Sequence, residues 1–466
     1  MNAKKGWFSF LDRENTVAGP DYRRALVPPA ALSIHLAIGQ AYSLSVFNLP
    51  MSRLIGVTKS SPEDWPLTTT VWIFNVAFAV LGVSAALFGK WLERVGPRRA
   101  MFVAALCFSG GFLVAAAGIA AHWIALVILG YGVFGGIGLG LGYISPVSTL
   151  IKWFPDRPGM ATGLAIMGFG GGAMIGAPLA QALMDHLRTA QSAGVAETFV
   201  SMGLIYFVFM MFGVVTVRVP APGWKPASFV PPTRSRALVS DAPVTADEAL
   251  HTPQFWLLWA MLFLNVTAGI GILSQASPMI QEMFPGRINA ALAAAFVGLL
   301  SLFNLAGRFF WASLSDPLGR KRTYMVYFVL GALLYVLLPA TGRQGSVPLF
   351  VACAAIILSM YGGGFATIPA YLRDMFGVPQ VGAIHGRILT AWSAAALVGP
   401  TLVTYVRKAQ LNHGVPSAEA YSVSMYIMAA LLALGFVCDI AVRSVDPRHY
   451  AKAEAIDRPK TAAAAS

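Results

Sequence analysis

The sequence predicts an all-α membrane protein whose twelve transmembrane helices form two pseudosymmetric six-helix bundles. Three observations carry this reading. Of the 466 residues, 57% are hydrophobic and only 11% are charged, where a soluble domain carries roughly 25% charged residues. Long apolar runs recur from Ala30 to Val442. The second half of the chain also repeats the first at one fixed offset.

The composition excludes a soluble enzyme and places the chain in a bilayer. Most of the 46 glycines lie inside apolar runs, as residues that let helices pack closely in lipid do. Cys107, Cys353 and Cys438 also sit in such runs, with no disulfide framework or metal spacing among them. A net charge of +13 raises the question of a nucleic-acid partner, and the placement of the basic residues answers it. If the N-terminus is cytoplasmic, the loops on its side hold 25 Lys and Arg and the opposite loops hold seven. The positive-inside rule then puts both termini in the cytoplasm, with no nucleic-acid role required.

Residues 1–29 are too charged and too broken by Gly and Pro for a cleavable signal, and read as an interfacial or loose cytoplasmic arm. The first bundle occupies 30–219, with spans near 30–50, 68–89, 100–120, 123–151, 160–183 and 198–217. Each exceeds the ~17 residues that cross a hydrocarbon layer. The second span opens on Ser61-Pro62-Glu63-Asp64, a helix-start signature of cap, first-turn proline and acids. Residues 220–252, richer in Pro, Ser and Asp, read as a cytoplasmic linker. The second bundle, 253–443, has spans near 255–280, 290–314, 324–340, 347–371, 388–406 and 421–442, and a cytoplasmic tail covers 444–466. Its Ala-rich end after Arg458 reads as disordered.

An offset of 223 residues aligns GKWLERVGPRR (Gly89 to Arg99) with ASLSDPLGRKR (Ala312 to Arg322). It pairs Glu93 with Asp316, Gly96 with Gly319, and Arg99 with Arg322. The same offset pairs Gly159 with Gly382, Gly163 with Gly386, and Gly176 with Gly399. Glycine abundance alone does not explain matched acids and bases. Parallel six-span halves with a site between them are a transporter architecture. The alternating Gly136, Gly138, Gly140 and Gly142 lack the preceding strand and following Lys-Ser or Lys-Thr of a phosphate loop, so they read as helix-packing residues.

The acid-x-x-Gly-x-[Arg/Lys]-Arg loop after the second and eighth spans resembles the signature loop of the major facilitator superfamily. Its acid can face a helix N-terminus, and its basic residues can hold helix ends together, so Glu93, Gly96, Arg99, Asp316, Gly319 and Arg322 are read as gating residues. A closer likeness lies in GIGLGLGYISPVSTLIKWFPDRPGMATGLAIMGFGGGA (Gly136 to Ala173), with AYSLSVFNLP, NLAGRFFWASLSDPLGRKR and GGGFATIPA. Together these resemble the oxalate:formate antiporter family. The likeness covers nearly all of the chain outside the arm, linker and tail. It implies the major facilitator fold, exchange of small carboxylates through a midplane cavity, and residence in the plasma membrane, the inner one of a bacterium.

His35, Arg308 and Asp439 are the ionisable residues well inside spans. Asp439, near the cytoplasmic end of the twelfth span, reads as a local helix or interface partner. His35 reads as a hydrogen-bonded packing residue, with a proton carrier as the alternative. Arg308 costs about 2.5–3.5 kcal/mol in a bilayer centre and has no acid to pair with in the first eleven spans. Its planar fork suits a carboxylate. The competing reading is snorkelling, since Asp316 is only eight residues on.

The resemblance makes Arg308 the substrate-binding Arg of the family's eighth helix. The family's eleventh-helix motif reads Tyr-Thr-Ala-Lys, whereas this chain has Leu389-Thr390-Ala391-Trp392. Trp392 therefore stands in place of a second cation, which speaks against a doubly charged anion. The pattern also carries Tyr361, Phe365, Tyr143, Phe169, Gln40 and Tyr42 into the pocket, although each could equally serve packing. Asn304, one turn before Arg308, cannot carry a proton, which favours exchange over a proton-coupled monocarboxylate symporter. Paired carboxylates, metal-ligand clusters and a nucleophile with its base are missing from the spans, which argues against a membrane enzyme. The expectation is a transporter that works as a monomer, with small carboxylates and the lipid bilayer as its partners and without cofactor or metal.

Overall fold

With no water in the hydrocarbon layer, backbone amides and carbonyls must be satisfied within each crossing segment, and helices are the solution this chain uses. The computed structural model describes residues 9–57, 61–65, 67–226, 238 and 242–451. The start of the arm, linker residues 227–237 (Pro231 among them) and 239–241, and the tail from 452 onward lie outside the described residues. We number the spanning helices α1 (Val27–Ile38), α2 (Leu67–Val95), α3 (Pro97–Ala120), α4 (Gly136–Trp153), α5 (Pro158–Leu187) and α6 (Val195–Thr216). The second set comprises α7 (Pro253–Met283), α8 (Ala290–Leu318), α9 (Arg320–Arg343), α10 (Val347–Phe376), α11 (Thr390–Asn412) and α12 (Ser422–Ala441).

Eleven described helical segments are long and apolar enough to cross a membrane. The first span is composite: α1 tightens into a 3-10 helix over Gly39–Phe47 and ends in the short turn Asn48–Met51. The fourth is composite too, since a π-helical stretch, Ile128–Gly135, leads into α4. Its glycines accept that widening, and Gly130 lies against the backbone of Ala115 in α3. The eleventh span begins earlier than the sequence suggests. A half-helix Val381–Ile388 precedes α11, with Leu389 between them. Large apolar side chains such as Val208, Leu333 and Val437 face outward, as a lipid-facing surface requires.

Two readings of the polar ends need correction. The Ser61 to Asp64 segment does not start a helix, because α2 begins at Leu67. Asp64 instead accepts amide hydrogen bonds from Ser61 (2.7 Å), Ile55 (2.8 Å) and Gly56 (3.2 Å). Burial pushes its carboxyl up, yet these three donors hold it below the usual carboxylate value. The arm is docked from residue 9 onward rather than loose. Arg98 donates to the carbonyls of Phe10 (2.7 Å) and Asn15 (3.1 Å), and residues 16–18 bond with Val219.

The two sets of helices meet along two seams related by the internal repeat: α5 packs on α8, and α2 on the half-helix and α11. Glycine makes both possible. A Cβ on Gly163 would press on the Arg308 carbonyl oxygen, and one on Gly386 would land on that of Ala85. Both pairs obey the 223-residue offset. Within the first set, a Cβ on Gly39 would strike the Phe169 carbonyl oxygen.

Gly39→Ala should therefore destabilise the folded protein by about 1–3 kcal/mol through overpacking. Gly110, where an added Cβ meets nothing within 4 Å, should accept alanine without loss. Thermal unfolding in detergent, followed by size-exclusion recovery, checks this, and equal midpoints for the two variants would remove the close-approach account of Gly39.

Candidate functional site

Arg308 projects from α8 into the seam with α5 and is wholly buried. Its Nε donates to Asn304 Oδ1 at 3.2 Å, one turn earlier on the same helix. One terminal nitrogen donates to the Ile166 carbonyl of α5 at 3.3 Å, and the other has no partner. Among the described residues no acid pairs with it. Snorkelling toward Asp316 does not occur, because that carboxylate is engaged elsewhere and the guanidinium points into the core.

Aromatic rings wall the cation. The guanidinium carbon lies 5.5 Å from the Phe365 centroid and 5.7 Å from that of Phe169, within cation–π range. Trp392 is wholly buried and touches Phe365 (4.5 Å), Phe169 (5.5 Å), Tyr143 (5.5 Å) and Tyr42 (6.3 Å) between ring centroids. Tyr361 stacks edge-on to Phe365 at 5.2 Å, and its hydroxyl lies 3.4 Å from that of Tyr42, bridging the two sets of helices. Phe78 of α2, absent from the sequence-derived set, closes the wall at 5.3 Å from Trp392 and 4.2 Å from Phe74.

The hydrogen-bond inventory of this cage is one-sided. The free Arg308 nitrogen, the Tyr143 hydroxyl and Trp392 Nε1 are buried without a partner. All three can donate, and an indole N–H or a guanidinium cannot accept. The cage thus holds spare donors beside an unpaired positive charge. Unpartnered donors of this kind cost about 1–3 kcal/mol each when left dry.

Seven of the expected pocket residues, Tyr42, Tyr143, Phe169, Tyr361, Phe365, Trp392 and Asn304, meet around Arg308. Gln40 does not join them. Its Oε1 accepts from Tyr131 at 3.0 Å, inside an aromatic cluster of the first six helices that includes Phe112 and Phe199. Asp439 is buried in the packing of α12, near Lys321, and its carboxyl oxygens have no hydrogen-bond partner. His35 packs as anticipated, with Nε2 3.1 Å from the Tyr143 carbonyl and its ring stacked on Tyr143. His385 went unread because it precedes the expected eleventh span. It is wholly buried, 5.7 Å from the Tyr143 ring, and both its nitrogens lack partners.

Glu93 and Asp316 seal the end of the molecule that carries the docked arm. Asp316 accepts from the amides of Gly159 and Met160, both at 2.9 Å, at the start of α5. Glu93 accepts from the Gly382 amide (3.1 Å), Ser148 (3.2 Å) and Lys152 (2.9 Å). Each acid thus meets the positive end of a helix from the opposite set. Gly96 and Gly319 turn the two loops at φ of +85° and +93°, a region that favours glycine. Arg320 joins Asp316 (2.7 Å) to Asp374 (3.1 Å). The basic clamps are Arg98, which donates to the Val217 carbonyl at 2.9 Å, and Lys321, which donates to those of Ile440 (2.9 Å) and Val442 (2.8 Å). Arg99 only pairs with exposed Asp12 at 2.5 Å, and Arg322 forms no ion pair among the described residues. Arg99 and Arg322 are therefore not the clamps.

These features, a repeated acid lock, helix seams and a midline cation, are those of a transporter. The family model of the Major Facilitator Superfamily matches residues 30–317 and 287–465. The chain belongs to this superfamily. Its members are membrane transporters rather than enzymes, and this chain is an integral membrane protein. The oxalate:formate antiporter of Oxalobacter formigenes is 26% identical over 371 residues, 79% of this chain and 81% of that protein. Apicoplast pyruvate carrier 1 of Toxoplasma gondii is 26% identical over 386 residues, covering 72% and 70%. Among solved structures, the E. coli fucose:proton symporter superposes with a TM-score of 0.62 at 14% identity, covering 90% of this chain and 99% of that one. This last likeness is one of superfamily fold.

In Asp316→Asn the charge-assisted bonds to α5, each worth about 1.5–3 kcal/mol, should weaken. Spin labels at the exposed positions Arg157 and Arg322 should then show an added, longer distance component by electron resonance. A distribution unchanged from that of the parent would deny Asp316 its sealing role.

Proposed function

We propose that the protein is a secondary transporter of small, singly charged carboxylates, held by Arg308 and moved by alternating access. The observation that supports this most is a wholly buried guanidinium with one free nitrogen and no acid beside it among the described residues. A carboxylate supplies both the missing charge and the missing acceptors. Bidentate docking uses two parallel N–H groups, and Arg308 keeps three unused, two on its unpartnered terminal nitrogen and one on the nitrogen that faces Ile166. The Ile166 carbonyl belongs to α5, across the seam, so the guanidinium that would hold substrate also touches the opposite set of helices.

The aromatic walls exclude water and strengthen the ion–ion attraction in a low-dielectric cage. Their apolar faces suit formate, or a short chain such as that of pyruvate. The names of the two carboxylate-carrying relatives agree with this substrate class. Exchange of one carboxylate for another is the mode Arg308 supports by itself, since Asn304 beside it holds no proton. We assign the sealed, arm-bearing end to the cytoplasm, because that orientation gives the positive-inside distribution.

Counterflow in proteoliposomes with labelled formate, pyruvate, lactate and oxalate tests the reading. Arg308→Gln should lose exchange by a factor that corresponds to about 2–5 kcal/mol, the cost of removing one partner of a buried charge pair. Arg308→Lys should fail largely as well, since an ammonium lacks the fork. Full exchange by a folded Arg308→Gln variant would end the proposal.

Charge counting also predicts a preference. A second carboxylate left unpaired in the cage carries a penalty of several kcal/mol, roughly, and the Trp392 indole offers a donor without charge. Trp392→Lys should raise the oxalate-to-formate ratio by at least about tenfold, within that penalty. Parent protein that already prefers oxalate to every monocarboxylate would refute the count.

A further inference from the structure

The carboxylate reading leaves two buried imidazoles unused, and both touch the same cage residue. His35 of α1 stacks on the Tyr143 ring at 5.2 Å between centroids. His385 of the half-helix Val381–Ile388 meets that ring at 5.7 Å. The first belongs to the N-terminal set of helices and the second to the C-terminal set. Both are at most 1% exposed.

Hydrogen bonding defines the state of His35. Its Nε2 faces the Tyr143 carbonyl at 3.1 Å, and a carbonyl only accepts, so Nε2 carries the hydrogen. The lone pair is then on Nδ1, which has no partner. Backbone of Ala165 and Gly142 lies near the ring. Ala165 immediately precedes Ile166, whose carbonyl takes the Arg308 hydrogen bond. His35 and Arg308 therefore approach adjacent peptide groups of α5, within electrostatic reach of each other. His385 is more exceptional still, because neither ring nitrogen has a partner. A neutral imidazole there leaves one N–H and one lone pair unsatisfied, at a cost of about 1–3 kcal/mol each.

The charged neighbourhood leaves room for one more cation once an anion is present. Around the histidines, α4 offers Tyr143 and α8 offers Arg308. From α2, Glu93 is held by Gly382, Ser148 and Lys152, and Lys90 pairs with Asp247 of the linker. Arg387, on the half-helix itself, also pairs with Asp247, at 2.6 Å. On α10, Asp374 pairs with Arg320 and Arg373, both at 3.1 Å. The α7 acid, Glu282, pairs with Arg407 at 2.5 Å. No acid among the described residues contacts either imidazole.

We propose that His35 and His385, both against the Tyr143 ring, form a proton-binding site that loads together with the carboxylate on Arg308. The inference rests on the carboxylate reading above. With Arg308 alone charged, a second cation nearby is repelled, and a bound carboxylate removes that repulsion. The proton enters at the free lone pair of His35 Nδ1 or at a ring nitrogen of His385, and like-charge repulsion limits the pair to one. The occluded core then bears one positive charge when empty and one when loaded with anion and proton. Net movement of a carboxylate with its proton becomes possible in addition to exchange.

The test uses purified protein in potential-clamped proteoliposomes, with labelled pyruvate as probe. At equal pH on both sides, parent, His35→Gln and His385→Gln should all exchange pyruvate, while Arg308→Gln should not. With the outside one pH unit more acidic, the parent should accumulate pyruvate up to about tenfold, the ratio equivalent to one pH unit. The two histidine variants should lose that accumulation and keep exchange. A parent that exchanges pyruvate yet ignores the gradient overturns the proton site while leaving the carboxylate reading intact. Variants that still accumulate, or that lose exchange and accumulation together, overturn it as well. Absence of exchange by the parent overturns the carboxylate reading and this inference with it.

Discussion

A positive charge that has to exist where water does not is the constraint around which this protein is organised. Arg308 lies wholly inside the core, where a lone cation is costly. The fold answers with weak, neutral compensation: the Asn304 amide oxygen, the Ile166 carbonyl and the faces of Phe169 and Phe365. None of these cancels the charge. The cation is tolerated without being neutralised.

That charge sits on a frame built twice. Glu93 and Asp316 hold Gly382 and Gly159, and the acids and the glycines are each 223 residues apart. The same offset relates Gly163 on the Arg308 backbone to Gly386 on the Ala85 backbone. It also relates Phe169 to Trp392, whose rings meet 5.5 Å apart in the cage. Symmetry thus supplies the seams, the locks and two walls of the site. Function enters where symmetry is broken. The position equivalent to Arg308 is Ala85, and that equivalent to His385 is Thr162. One half brings the cation, and the other brings the carbonyl it reaches for.

Inter-bundle contacts at the site are aromatic packing and hydrogen bonds to neutral acceptors, whereas those at the arm-bearing end are charged. The Arg308 to Ile166 bond and the Tyr42 to Tyr361 pair, at 3.3 and 3.4 Å, are long, and neither involves a carboxylate. The locks use carboxylates on helix N-termini, which hold more firmly because the donors are fixed by the helix.

Sequence alone determined the membrane fold, the repeat, the acid locks and the placement of Arg308 away from any acid. Each is local or periodic: apolar length, a constant offset, a charge without a partner within reach along the chain. It also placed most of the cage, through family likeness at Tyr42, Tyr143, Phe169, Tyr361, Phe365 and Trp392. It misjudged Ser61 as a helix cap and Gln40 as a pocket residue, and it named Arg99 and Arg322 where Arg98 and Lys321 hold the helix ends. One position along a helix turns a side chain by about 100°, so a motif that fixes the loop does not fix which of two neighbouring bases faces inward. Phe78 and His385 entered only with the tertiary structure. Their significance is that α2 and the half-helix cross at a glycine and bring both against a ring on a distant segment. Contacts between helices far apart in the chain leave no periodic trace, because they depend on crossing geometry and on rotation about each helix axis.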